Sequence, residues 1–433
     1  MRILWLKSDL LLPLDKGGKL RTWHLMRQLA RRHEISYLAF ADPEQPRADI
    51  DGMREVAADV VTIPRRDPAK GTVAFYVDAA RHLMNPLPYA VGKYISAAYR
   101  RALDDLLTGN SFDIIVCDFL PPAVNMPAEL PCPVVLFTHN VEAEIWRRHA
   151  ETAANVVGRT LYGIQHRRMH RFEQATLARF DAVLAVSEAD RQTFGRLYPG
   201  AARRPIPVIP TGVDTAFFAP AGAGPDHASP PASRELVFTG SMDWLPNEDA
   251  MVFFCREILP LIRAEEPEVT LSIVGRAPTP AVRKLASDYA GVSVTGRVDD
   301  VRPAMRDAAV YVVPLRIGGG TRLKIFEAMS MAKAVVSTVV GAEGLPVIHG
   351  EHLLLADEPR AFARGVVRLL RDIERRRAIE QAARHLVVSQ YDWAVVAGDL
   401  EEALARVARR AVPRVANDPT QELAAQSLVR GRG

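Results

Sequence analysis

Cysteine is scarce in this chain, with three among 433 residues: Cys117, Cys132 and Cys255. They form no CxxC pair and no metal spacing, which excludes a disulfide scaffold and a zinc ribbon. So sparse and odd a count points to a reducing compartment. No window approaches the roughly 18 apolar residues that a membrane helix needs. The opening MRILWLKSDLLLPL is interrupted by Lys7 and Asp9, and no small-residue cleavage site follows. It reads as a first strand rather than a signal peptide. There is no GxGxxG, which argues against a dinucleotide site, and no internal repeat. An excess of one charge is also missing: 55 Lys and Arg face 51 Asp and Glu, net +4. That is too little to argue for nucleic acid as a partner. These absences leave a cytoplasmic protein, with peripheral contact at the cytoplasmic face of the inner membrane still open.

What is present describes a globular chain, 48% hydrophobic and 24% charged. Its length suits two domains of about 200 residues each. The most informative stretch is Pro314 to Thr338, PLRIGGGTRLKIFEAMSMAKAVVST. Before it, the apolar run Ala309 to Val313 reads as a buried parallel strand. Gly318, Gly319 and Gly320 follow, and Thr321 is a good N-cap for a helix. Leu323, Phe326, Met329 and Ala332 recur at helical spacing, with Glu327 on another face. Ala334 to Ser337 then forms the next strand. Strand, glycine loop, helix and strand suit an anion, because glycines admit close approach and free N–H groups meet the positive end of the helix dipole. Arg322 and Lys324 oppose that dipole in the first turn, so they imply an outside partner, a diphosphate. Glu327 is too far along to cap the helix, and its carboxylate suits ribose hydroxyls.

This stretch resembles the donor-site signature of glycosyltransferase family 4, retaining enzymes of GT-B fold that use nucleotide sugars. The family has two glutamates eight positions apart, and Glu327 matches the second. The first falls on Gly319, which leaves the identity of the sugar open. The GGGTR-x-K-x-x-EAM form is closer to sugar transferases linked to exosortase/PEP-CTERM exopolysaccharide systems. The resemblance implies an α/β architecture of two Rossmann-like parallel-sheet domains facing across a cleft, with a C-terminal helix crossing back to the first. It implies a UDP- or GDP-sugar as donor substrate, a glycan or lipid-linked hydroxyl acceptor and no separate cofactor. No Asp-x-Asp sits at a strand end, so no metal is expected.

Along the chain, residues 1–205 read as the acceptor-side domain. Asp15 to Lys19 is a glycine loop before a helix from Leu20 to Arg32, and the resemblance places Gly17 and Gly18 against the donor diphosphate. His139 follows the strand Val134 to Thr138, at the carboxyl end where ligands gather in open parallel sheets. The resemblance maps it onto the family's active-site histidine, which contacts the donor sugar. Glu142 to Arg179 reads as one long helical segment rich in arginine, without an acidic residue between Arg159 and Arg171. It is either a solvated face or a face for anionic lipid. Residues 206–234 form an interdomain crossing and a Pro/Gly/Ala-rich linker, and residues 235–390 the nucleotide-sugar domain. There the resemblance adds Gly240 and Ser241 after one strand, Arg276 after the next, and Arg297 and Val298 beside the nucleobase. Arg276 and Arg297 read equally well as surface charges. Residues 391–410 form the terminal helix and 411–433 a disordered tail. Expected site residues are therefore His139, Arg322, Lys324 and Glu327 for chemistry, with the glycines, Ser241, Thr321, Arg276, Arg297 and Val298 for the donor. A nucleotide-sugar epimerase of the same fold and a non-catalytic nucleotide-sugar-binding protein remain alternatives.

Overall fold

The computed structural model describes residues 1–69, 71–83, 85–153, 155–200, 204, 206–220, 233–317 and 323–410. Three expectations fall outside these: Gly318, Gly319, Gly320, Thr321 and Arg322, residues 221–232 of the linker, and the tail from 411. The chain divides into two compact units, Met1–Ile209 with the chain from Ala397 onward, and Pro210–Val396.

In the first unit, strands β1 (Arg2–Leu6), β2 (Glu34–Ala41), β3 (Asp59–Pro64), β4 (Ile114–Asp118), β5 (Val134–Phe137) and β6 (Ala182–Leu184) form one parallel sheet. Its order is β3-β2-β1-β4-β5-β6. Strands such as IIVCD and VVLF are apolar almost throughout because helices cover both faces. The second unit repeats the plan with β7 (Glu235–Thr239), β8 (Thr270–Val274), β9 (Val292–Gly296), β10 (Val310–Val313), β11 (Ala334–Ser337) and β12 (Leu354–Leu355). Its order, β12-β11-β10-β7-β8-β9, is the same doubly wound sequence. In each sheet the winding reverses between the first and fourth strands, and at the carboxyl ends there the crevice opens.

Local chemistry corrects several expected boundaries. The helix after β1 runs Gly17–Leu29, so the glycine pair opens it rather than preceding it. Glu142 to Arg179 is two helices, Glu142–Thr152 and Val156–Arg179, because Asn155 caps a new start through Gly158 N at 2.7 Å. Arg147 and Arg148 are matched by Glu144, and Arg147 also by Glu151, so the first helix carries no unbalanced basic face. The helix expected from Thr321 to Ala332 is described over Leu323–Ser330 and ends there. Ala332 lies beyond its end in left-handed backbone (φ +52°), and Leu323 is only half-buried. The inward side is Ile325, Phe326, Ala328 and Met329. A single helix from Pro359 to Leu386 is also two, Pro359–Arg371 and Ile373–Gln390, divided where Asp372 caps Arg375 N at 2.8 Å.

The terminal helix Trp393–Arg410 changes units along its length. From Ala397 it belongs to the first, where Glu401 pairs with Arg32 at 2.5 Å. Cys117, Cys132 and Cys255 are all buried thiols. Among the described residues no helix is long and apolar enough to cross a membrane.

Candidate active site

Each unit gathers polar side chains at its own switch point. In the first, Asp118 ends β4 and Lys7 follows β1; they are 0% and 1% exposed and meet at 2.8 Å. Charges this deep persist only when paired and hydrogen-bonded. Asp118 Oδ2 accepts from Lys7 Nζ, from Trp5 Nε1 at 2.9 Å and from Thr22 Oγ1 at 2.6 Å. Its Oδ1 meets His139 Nε2 at 2.8 Å. Burial alone would raise the Asp118 pKa, but Lys7 and His139 outweigh it and hold the carboxyl well below the usual range.

His139 stands two residues past β5, where the sheet delivers it to the crevice. Phe119 stacks on its ring at 3.9 Å and 5°, and Phe137 meets it edge-on at 5.4 Å. Phe119 takes a left-handed backbone (φ +69°), a strained choice for a bulky residue that the packing around it sustains. Burial, with smaller contributions from Arg21 and Lys7, lowers the His139 pKa to about 3 against the pull of Asp118. Arg21 lies over Phe137 at 4.1 Å and donates to the Thr138 carbonyl at 2.8 Å.

The helix Gly17–Leu29 brings Gly18 over this plate. A Cβ on Gly18 would stand 3.3 Å from the Phe119 ring and 3.4 Å from His139 Nδ1, whereas one on Gly17 would touch nothing within 4 Å. The helix start has no side-chain cap and no acid in its first turn, so its dipole end is unneutralised from within the helix. Gly18 and His139 are thus brought together, and Gly17 edges the same helix start.

In the second unit, Gly240 and Ser241 follow β7, and Gly275 and Arg276 follow β8. A Cβ on Gly275 would fall 1.7 Å from the Gly240 carbonyl oxygen, so these two turns pack backbone on backbone. Arg276 Nε donates to Ser241 Oγ at 2.6 Å. Lys324, in the first turn of the helix Leu323–Ser330, donates to Asn247 Oδ1 at 2.9 Å and lies 4.1 Å over the Phe238 ring. Asn247 in turn donates to the Ser241 carbonyl at 2.9 Å. A Cβ on Gly240 would approach Lys324 Nζ to 2.9 Å and Asn247 Nδ2 to 2.7 Å.

Glu327 lies three residues beyond Lys324, on one helix face with it. Burial raises its carboxyl to about 7, with Lys324 opposing. Its charge also reaches the buried Tyr311, whose hydroxyl hydrogen-bonds Thr239 Oγ1 at 2.5 Å. Ser241, Asn247, Arg276 and Lys324 therefore form one hydrogen-bonded cluster against Gly240, and Glu327 follows Lys324 on the same helix face. Arg297 is exposed beyond β9, and Val298 packs partly against the core.

Sequence reasoning passed over Asp118, Lys7, Thr22 and Asn247. A signal was available for two of them: Lys7 and Asp118 are charged residues closing apolar strands, the position where a buried polar group serves a crevice.

The two units have the architecture of GT-B glycosyltransferases: Anabaena Alr3699/HepE in complex with UDP matches with a TM-score of 0.64, over 94% of this chain and 100% of that one, at 16% identity. Residues 16–217 match the family model Glycosyltransferase Family 4, and residues 233–372 match Glycosyl transferases group 1. The chain belongs to glycosyltransferase family 4. Among curated relatives, phosphatidyl-myo-inositol mannosyltransferase of Mycolicibacterium smegmatis is 32% identical over 197 residues, 44% of this chain and 50% of the relative. An uncharacterized 44.6 kDa protein in the cps region of Klebsiella pneumoniae is 27% identical over 164 residues, 36% of this chain and 42% of that protein. The chain spans about half the length of these curated relatives.

Proposed function

We propose that this protein is a retaining, metal-independent hexosyltransferase that moves a sugar from a nucleotide-sugar donor to a hydroxyl of a glycan or lipid-linked acceptor. The observation that carries the reading is the bonded cluster of Ser241, Asn247, Arg276 and Lys324 packed against Gly240 at the second switch point, with Glu327 one turn further on. A cation beside glycine turns, next to a carboxylate suited to ribose, is a diphosphate and sugar-ring recognition set.

In this reading Lys324 and, by its place in the sequence, Arg322 neutralise the charge that develops on the leaving diphosphate. By sequence alone, Gly318 to Thr321, outside the described residues, belong to the same donor set. Glu327 fixes the ribose, while His139 and Gly18 orient the sugar as an oxocarbenium-like transition state forms. The donor is a UDP- or GDP-sugar; Alr3699/HepE, which shares the fold, was solved with UDP. A role in exopolysaccharide or cell-surface glycan biosynthesis accords with the relative found in a cps region.

Incubation with UDP- and GDP-sugars and separation of the products tests the reaction. Glycosylated acceptor with retained anomeric configuration is expected; isomerised donor alone would instead make the protein an epimerase. His139→Ala is expected to lower kcat about 100-fold while leaving nucleoside diphosphate affinity within twofold, since no nucleotide ligand is removed. Full activity in that variant would remove His139 from the chemistry.

The acceptor side of the reading includes peripheral contact with anionic membrane lipid at the cytoplasmic face. It is supported by the start of the helix Val156–Arg179, where Val156 is 76% and Val157 70% exposed beside the exposed Arg159. Val156→Asp with Val157→Asp is expected to cut co-sedimentation with anionic phospholipid vesicles at least about fivefold. Equal sedimentation of both proteins would exclude this surface.

A further inference from the structure

We propose that Asp118, held in place by Lys7, Thr22 and Trp5, is a positioning residue that keeps the His139 proton on Nε2 and so presents Nδ1 as a hydrogen-bond acceptor for a substrate hydroxyl beside Gly18. That the hydroxyl is a sugar's rests on the glycosyl-transfer reading; the protonation pattern of the ring does not.

An ionised carboxylate only accepts hydrogen bonds. Asp118 has donors on both oxygens, three of them on Oδ2 including the Lys7 ammonium, so it is an anion. Its Oδ1, 2.8 Å from His139 Nε2, therefore requires the imidazole proton at Nε2. On a neutral ring Nδ1 then keeps a lone pair. The charged groups that face the ring are Asp118 at the end of β4, Lys7 after β1 and Arg21 on the helix Gly17–Leu29. Phe119 and Phe137 supply the remaining walls and carry no charge. Two cations against one anion, in a buried place, keep the ring neutral.

The imidazole is 7% exposed, and among the described residues no protein group bonds Nδ1. Nδ1 is not one of the fully buried, unpartnered polar atoms among the described residues, so its lone pair reaches solvent and is open to a ligand hydroxyl. Gly18 supplies the room. Any larger residue would place its Cβ 3.4 Å from Nδ1, where that hydroxyl must approach. An imidazolium, or a ring protonated at Nδ1, would offer a donor instead and repel the hydroxyl hydrogen.

The test uses the whole protein with 15N-labelled histidine, and two-bond 1H–15N spectra assigned by comparison with His139→Gln. The wild-type ring is expected to be neutral and Nε2-protonated, without titrating between pH 8 and 5. Asp118→Asn is expected to release the tautomer preference and lower kcat about 100-fold, with nucleoside diphosphate affinity unchanged. Lys7→Met is expected to act differently. Loss of a cation raises the ring's proton affinity, so His139 begins to titrate and kcat falls as pH is lowered, while the tautomer at high pH persists. A wild-type ring protonated at Nδ1 overturns the proposal, and so does an Asp118→Asn protein with wild-type tautomer and kcat. Should Asp118→Asn fail to fold, the wild-type spectrum and the Lys7→Met profile still decide. Should wild type transfer no sugar from any donor, the glycosyl-transfer reading fails, yet the spectra judge the tautomer on their own.

Discussion

Glu327→Ala is expected to raise the dissociation constant of a nucleoside diphosphate about 10- to 100-fold in calorimetric titration. A hydrogen bond to a charged acceptor contributes about 1.5–3 kcal/mol, and about 1.4 kcal/mol is a factor of ten. The same carboxyl supplies a pH test. Burial raises it to about 7, and ribose hydroxyls donate to its ionised form. Protonation therefore competes with the nucleotide, and affinity should fall by up to about tenfold per pH unit below 7. Above 7 it should level off. Glu327→Gln should flatten this dependence while weakening binding at high pH. Unchanged affinity in Glu327→Ala would remove the ribose assignment.

Gly275→Ala is expected to destabilise the second unit by about 3 kcal/mol or more and to abolish nucleotide binding with it. The added Cβ would overlap the Gly240 carbonyl oxygen at 1.7 Å, in backbone with φ +156° that side chains rarely adopt. Neither atom is at the flexible end of a side chain, so the turns after β7 and β8 must separate. Those turns hold the bond between Ser241 and Arg276 and the link from Asn247 to Lys324. Gly17→Ala is the control: its Cβ meets nothing within 4 Å, and alanine at a helix position is neutral or slightly stabilising. Thermal unfolding of both variants checks the contrast. A Gly275→Ala protein as stable as wild type would show that the turns do not need this close approach.

The strands were the legible part of this sequence. Runs such as Ala334 to Ser337 and Val310 to Val313 are buried on both faces, so their apolar character has no competing explanation. His139 and Lys324 were legible because each sits next to such a strand or at the start of the helix that follows one. Helix breaks were less visible. Asp372 ends one helix and caps the next, while Asn155 caps the second helix of its pair after Ala153 has closed the first; a single Asn or Asp among helix-forming neighbours is a weak signal.

The pairing behind His139 was not legible, although the positions of Lys7 and Asp118 at strand ends were. Lys7 and Asp118 are 111 residues apart, and only the neighbouring of β1 and β4 joins them. Lys7 read as an interruption of an apolar run, when burial beside Asp118 is its role. Likewise Asn247, in the first turn of the helix Leu245–Phe253, links the Ser241 carbonyl to Lys324 across 77 residues. Pairings of that kind belong to topology, which local pattern does not encode.

The most direct measurement is a crystal structure of the full protein with a nucleoside diphosphate. The pyrophosphate is expected against Lys324 and the Gly240–Ser241 turn, with both ribose hydroxyls on Glu327. A well-occupied nucleotide elsewhere, with Lys324 still bonded only within the protein and Glu327 untouched, would contradict the account.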